Sequence, residues 1–162
     1  GLMLKLIMHF QGCLRVPLIV KAPGRPGGRT SSLASSIDLP HTLLDLCGVA
    51  EYQGMQGTSL VPVIDDLGAG VRDAVLIEDD WPMAEVGSPF PIRTRTSVTS
   101  THRYTRDSDG FEMLYDLEHD PDELTNLATD GRDPAARVAA LDAMFDLMLR
   151  ADDLTRTEPV SP

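Results

Sequence analysis

The stretch HFQGCLRVPLIVKAPGRPGG, residues 9–28, joins a histidine, a glycine, a cysteine and an arginine to a short apolar run that ends in Pro and Gly. Three readings compete for it: the tail of a secretion signal, a redox or metal site, and the rim of an active site whose other half lies elsewhere. RVPLIVKA (15–22) is short, β-rich and closed by a Pro/Gly cluster, which predicts a buried strand. APGRPGGRTSS (22–32) must then be a loop, because Pro and Gly punctuate it repeatedly. Upstream, GLMLKLIMHFQGC has the faint outline of a lipoprotein signal, but the chain opens on Gly, and His9 and Gln11 interrupt the apolar run. A chain that starts inside an apolar segment without an initiator Met is expected to be part of something longer.

Downstream, SSIDLPHTLLDLCGV (35–49) has the grammar of a helix. Asp38 is placed to cap it, Pro40 fits the first turn and Gly48 stops it. Leu39, Leu43, Leu46 and Cys47 share one face, the expected buried one. GTSLVPVI is a short helical or irregular link, and DDLGAG a boundary. From residue 72 the period changes. RDAVLIEDD reads as a strand, IRTRTSVTSTHRYTRD as a hairpin broken at Ser100 and Thr101, and FEMLYDLEHD as a further strand after the turn DSDG. Tight turns between successive strands predict an antiparallel sheet. HDPDELTNLA is expected to begin a helical turn with Asp120 as cap and Glu123 at the reciprocal capping-box position. A last helix follows, capped by Asp133 with Pro134 at its first position and a buried stripe of Val138, Leu141, Phe145 and Met148. TRTEPVSP is a polar tail.

Composition narrows the function. The net charge of −11, from 25 acids against 14 Lys and Arg, opposes polyphosphate and argues against nucleic-acid binding. No stretch is apolar for the roughly 18 residues a membrane span needs. Cys13 and Cys47 are in no C-x-x-C spacing and read as packed thiols. The four histidines, 9, 41, 102 and 119, fit no zinc spacing. The acidic runs at 78–80, 107–109 and 118–123 read as solvated turn caps. No serine sits in a G-x-S-x-G elbow. What remains is a small basic concentration, Lys5, His9 and Arg15, at the N-terminus. A lysine in so apolar a segment needs an anionic partner or a route for its head to solvent. The residues alone leave both open.

Four motifs in order carry a resemblance. MHFQGCLRVPLIVKAPG resembles K-x-x-x-Y-E-G-G-x-R-V-P-L-I-V-x-x-P-G of the type I sulfatases in the alkaline phosphatase superfamily. SSIDLPHTLLDLCGV resembles their D-L-x-P-T-L-L-D-L-A-G helix, and MQGTSLVPVI their D-G-x-S-L-x-P-L-L. SVTSTHRYTRDSDGFEMLYDLEHDPDELTNLA resembles the closing R-T-x-R-Y-K-Y…E-L-Y-D-L-x-x-D-P-x-E-x-x-N-L. Together they span most of residues 5–128.

The resemblance implies the C-terminal part of a sulfatase-like hydrolase of α+β class. The end of an α/β catalytic domain (1–66) would lead into a small antiparallel sheet packed by a C-terminal helix (72–154), then a tail (155–162). It implies hydrolysis of a small-molecule sulfate ester by the intact protein. The cofactors would be a divalent cation, calcium, and a formylglycine nucleophile. The implied site residues are Lys5 and His9, which would neutralise sulfate oxygens; Lys5 stands one residue off the family spacing. Neither cysteine fits C/S-x-P-x-R, so nucleophile and metal ligands are expected outside these residues and the 162-residue chain alone is expected to be inactive. A phosphonate or phosphodiester hydrolase and a non-catalytic interaction module are the alternatives. No nucleic acid or membrane partner is expected, self-association of the isolated chain is, and the compartment stays between cytoplasm and periplasm.

Overall fold

The computed structural model describes residues 8–52, 54–81, 91–131 and 133–153. The elements run α1 (Gln11–Leu14), α2 (Asp38–Leu46), α3 (Val61–Asp65), β1 (Ala74–Trp81), β2 (Ile92–Thr99), β3 (His102–Asp107), β4 (Glu112–Asp116), α4 (Leu127–Asp130) and α5 (Pro134–Asp153). The four strands form one sheet in the order β1-β2-β3-β4. The pairs β2–β3 and β3–β4 are antiparallel. The class is the expected α+β. The chain divides into two compact units, residues 1–19 with 76–145 and residues 20–75 with 146–162.

In the first unit, turn chemistry makes the sheet a meander. Thr99 Oγ1 accepts from the amides of Thr101 (3.2 Å) and His102 (2.9 Å), closing the β2–β3 hairpin at the predicted break. Gly110, at φ 93°, supplies the left-handed residue that turns β3 into β4. The register puts Thr96 opposite Thr105, and Thr105 opposite Met113. One sheet face therefore carries Thr94, Thr96, Arg103, Thr105, Met113 and Tyr115, and the other carries Ser97, Tyr104, Glu112 and Leu114. All ten are buried. Asp133 Oδ1 accepts from Ala136 N at 2.9 Å, the predicted cap of α5. Arg137 on that helix forms an ion pair with Glu112.

The predicted stripe of α5 needs correcting. Met144 is its buried residue, Leu141 and Met148 are half-buried, and Val138 and Phe145 face out. Apolar residues surround this helix, so periodicity alone does not choose its face. The predicted helical turn at 120 also differs. Asp120 accepts from Leu124 N and Thr125 N, but Glu123 is at φ 55°, which no helix tolerates. Helix α4 starts later, capped by the Asn126 side chain on Ala128 N at 3.0 Å.

In the second unit α2 ends as expected. Gly48 is left-handed at φ 66°, Val49 N reaches Leu44 O at 2.9 Å and Gly48 N reaches Asp45 O at 3.0 Å, a Schellman closure. Its faces are the reverse of the expected ones. Asp38, His41 and Thr42 are buried, while Leu39, Leu43, Leu46 and Cys47 are exposed. Asp38 is not the cap; it lies inside the helix as a hub. Its carboxylate accepts from Ser35 N (2.7 Å) and Thr58 N (2.9 Å) and pairs with Arg72. Thr42 Oγ1 donates to Asp38 O at 2.7 Å and accepts from Leu60 N at 2.9 Å. Gly57 lets the 57–60 segment approach, since a Cβ there would stand 2.0 Å from Ile37 O. The predicted strand 15–22 is absent: the segment is irregular, and Val16 and Ile19 are 71% and 91% exposed. Among the described residues it has no strand to pair with, and Pro17 offers no amide to recruit one.

Candidate functional site

Lys5 lies outside the described residues. His9 is described, and it is buried in the first unit on the threonine-rich face of the sheet. Its Nδ1 lies 2.8 Å from Thr96 Oγ1, which lies 2.7 Å from Thr105 Oγ1. Arg103 Nη1 donates to Thr105 Oγ1 at 2.7 Å. A guanidinium only donates, so Thr105 Oγ1 accepts there. The Thr105 and Thr96 hydroxyls share one hydrogen bond, and Thr96 shares another with His9 Nδ1. His9 Nε2 faces Asp79 Oδ2 at 3.7 Å. Burial pushes the His9 pKa down, with Arg103 adding to the effect and Asp79 opposing it. A neutral imidazole in this place holds its segment to the sheet and offers an anion no charge.

Arg103 is the centre of the arrangement. It is 0% exposed, and its guanidinium lies over the rings of both Phe10 (4.9 Å) and Tyr115 (4.8 Å), which themselves meet at 5.9 Å. Its Nε pairs with Glu123 Oε1. The second carboxylate oxygen of Glu123 accepts from Gln11 N at 2.7 Å, at the first turn of α1. Residues 9, 10 and 11 are thus each gripped from the C-terminal part of the chain. Nearby, burial raises the pKa of Asp107, whose Oδ1 is unpaired, as is the Oγ1 of its cross-strand neighbour Thr94.

The sequence reading singled out His9 but missed Arg103, Thr96 and Thr105, and it took Glu123 for a cap. The available signal was the Thr-x-Thr spacing in β2, read with an arginine and a threonine two apart in β3. At period two, these residues share a face. Among the described residues one group has metal-ligand spacing, Asp116, Glu118 and His119 in an exposed turn. Asp116 is already engaged there: Oδ1 accepts from Glu118 N and Oδ2 meets His119 Nδ1 at 2.8 Å. That contact lowers the Asp116 pKa and raises the His119 pKa.

A meander sheet under a C-terminal helix, reached by this order of motifs, is the closing part of a sulfatase-like hydrolase. The family model described as N-sulphoglucosamine sulphohydrolase, C-terminal, matches residues 1–146, and the chain belongs to that family. Arylsulfatase K of Xenopus laevis is 32% identical over 125 residues, covering 74% of this chain and 23% of its own length. The choline-sulfatase of Rhizobium meliloti is 34% identical over 141 residues, covering 85% of this chain and 26% of its own length. Among solved structures, the phosphonate monoester hydrolase of Agrobacterium radiobacter superposes with a TM-score of 0.63 at 26% identity, over 74% of this chain and 26% of that one. The chain therefore spans about a quarter of the length of the relatives it matches.

Proposed function

We propose that the intact protein hydrolyses sulfate esters, and that this chain supplies one wall of the active site, with Lys5 meeting the sulfate oxygens. The supporting observation is relatedness: relatives at 30% identity or more over most of the chain are named as sulfatases. Burial and the lowered pKa of His9 favour Lys5 for the anion contact, leaving His9 to hold the segment. An ammonium beside the sulfate would offset the negative charge that moves onto the leaving oxygen as the S–O bond breaks. The residues described do not fit the cation the family implies: the one cluster of suitable spacing is an exposed turn whose donors cap each other. Neither cysteine stands in C/S-x-P-x-R. Metal and nucleophile are therefore assigned to the rest of the intact protein, and this chain's part is to bind and orient.

The test is turnover of 4-nitrophenyl sulfate by the full-length protein with a divalent cation. Lys5→Ala is expected to lower kcat/KM about a hundredfold, roughly 3 kcal/mol of transition-state stabilisation, with little change in Tm. The 162-residue chain alone is expected to give no turnover. A second reading, phosphonate monoester hydrolysis, is favoured by the structural likeness to the Agrobacterium enzyme. Faster turnover of a phenylphosphonate ester than of the sulfate would establish it, and turnover of neither would leave an interaction module.

A further inference from the structure

Three consecutive residues of the N-terminal segment are held by three different directional contacts. The Thr96 hydroxyl is hydrogen-bonded to the His9 ring, the Arg103 guanidinium lies against the Phe10 ring, and Glu123 takes the Gln11 amide. We propose that Arg103 and Glu123 are positioning residues for the N-terminal segment in which Lys5 acts: their buried ion pair clamps Phe10 and Gln11 and fixes the register of residues 9–11 against the sheet. This rests on the reading of Lys5 given above.

A buried ion pair is a poor device for stability alone, because desolvating both charges offsets most of their attraction. Apolar side chains would hold residues 9–11 to this face as firmly, but without direction, and the segment could slide. Hydrogen bonds and a guanidinium set over the Phe10 and Tyr115 rings do not allow sliding. The backbone carries the same message. Glu123 is held at φ 55°, unfavourable for a residue with a Cβ, and that conformation accompanies a carboxylate facing both Arg103 and Gln11 N. Phe10 and Gln11 depart from the Tyr and Glu of the family pattern, yet neither departure touches the clamp. Arg103 uses the ring rather than a hydroxyl, and Glu123 uses the backbone amide rather than a side chain. The distance in sequence from 10–11 to 103 and 123 is the point: the C-terminal sheet sets where residues 9–11 lie.

The experiment replaces the pair in the full-length protein with apolar residues of similar length, Arg103→Met with Glu123→Leu. Both charges leave together, so the melting temperature is expected to stay close to that of the parent. Hydrogen exchange of amides 9–14 is expected to quicken about tenfold while β3 and β4 keep their protection. Unchanged exchange at 9–14 overturns the clamp. Turnover of 4-nitrophenyl sulfate gives the second readout, through a double-mutant cycle with Lys5→Ala. The apolar pair is expected to lower kcat/KM about tenfold when Lys5 is present, and to cost almost nothing when Lys5 is already Ala. Equal losses in both backgrounds mean an ordinary structural role and overturn the proposal. A costly Lys5→Ala beside a harmless apolar pair overturns the clamp and leaves the reading of Lys5 standing. An active Lys5→Ala removes that reading and the proposal with it. If the apolar pair fails to fold, Glu123→Gln, which keeps shape and one acceptor, is put through the same measurements with the same outcomes.

Discussion

In the unit built from residues 1–19 and 76–145, buried polar groups lie among buried apolar ones on both faces of one sheet. In the unit built from residues 20–75 and 146–162, the helix α2 buries its polar face and turns its leucines outward. In the first arrangement polar and apolar side chains share the interior. Arg103, Glu123, Thr105, Thr96 and His9 answer one another, and Tyr104, Met113, Leu114 and Met144 fill the remaining core. The second is held by the hub of Asp38, Thr42 and Arg72, which uses hydrogen bonds and leaves apolar area unspent. Leu43 is 63% exposed and Val49 53%. A surface of that kind is made to be covered. The contrast is in what is buried: a mixed polar and apolar sheet in one unit, a polar helix face in the other. In the isolated chain we expect that surface to drive self-association.

The largest effect tests the sheet unit. Arg103→Ala strands the Glu123 carboxylate in the interior and is expected to cost about 3–5 kcal/mol, a loss that can unfold the sheet. Trp81, the one tryptophan, ends β1 and reports the sheet by its fluorescence. Arg103→Ala with an unshifted Trp81 transition would show that the sheet does not depend on its ion pair.

A smaller effect comes from pH. The folded state holds the His9 pKa below its ordinary 6.5, so above that pH the imidazole is neutral in both states and the contact is complete. As pH falls below 6.5 the unfolded chain takes up the proton first, and stability drains away. Asp79 and Asp107 draw the proton in, and Arg103 repels it. His9→Asn is expected to flatten this part of the stability–pH curve; an equally steep curve in the variant would assign the dependence to other groups.

The smallest effect in stability tests the α2 unit. Leu43→Ser removes an exposed side chain, so the free energy of unfolding is expected to move by no more than about 0.5 kcal/mol. Light scattering of the isolated chain should nonetheless show less association. A large loss of stability with unchanged association would place Leu43 in a core and erase the contrast between the units.

How much of this could be read from sequence follows the same division. The strands, the hairpin break at Ser100 and Thr101, the Asp133 cap and the Gly48 stop were legible because turn and cap chemistry is local. The faces of α2 and α5 were not. Leu39, Leu43 and Leu46 make a correct apolar stripe, but periodicity says that a face is apolar, not that its partner is within reach. RVPLIV failed as a strand for the same reason. At the candidate site, His9 was legible as a residue worth watching, while its partners were hidden by distance in the chain. Glu123 was misread because D-P-x-E looks like a capping box, and only the fold shows its carboxylate turned to Arg103.

Glu123 occupies a backbone conformation that glycine adopts freely and glutamate does not. Drift toward glycine at 123 would relax the chain and at once maroon a guanidinium; drift at 103 would maroon a carboxylate on a backbone it has no reason to endure. Neither position is free to wander alone. Across descendants of this gene, the two should be kept together or lost together.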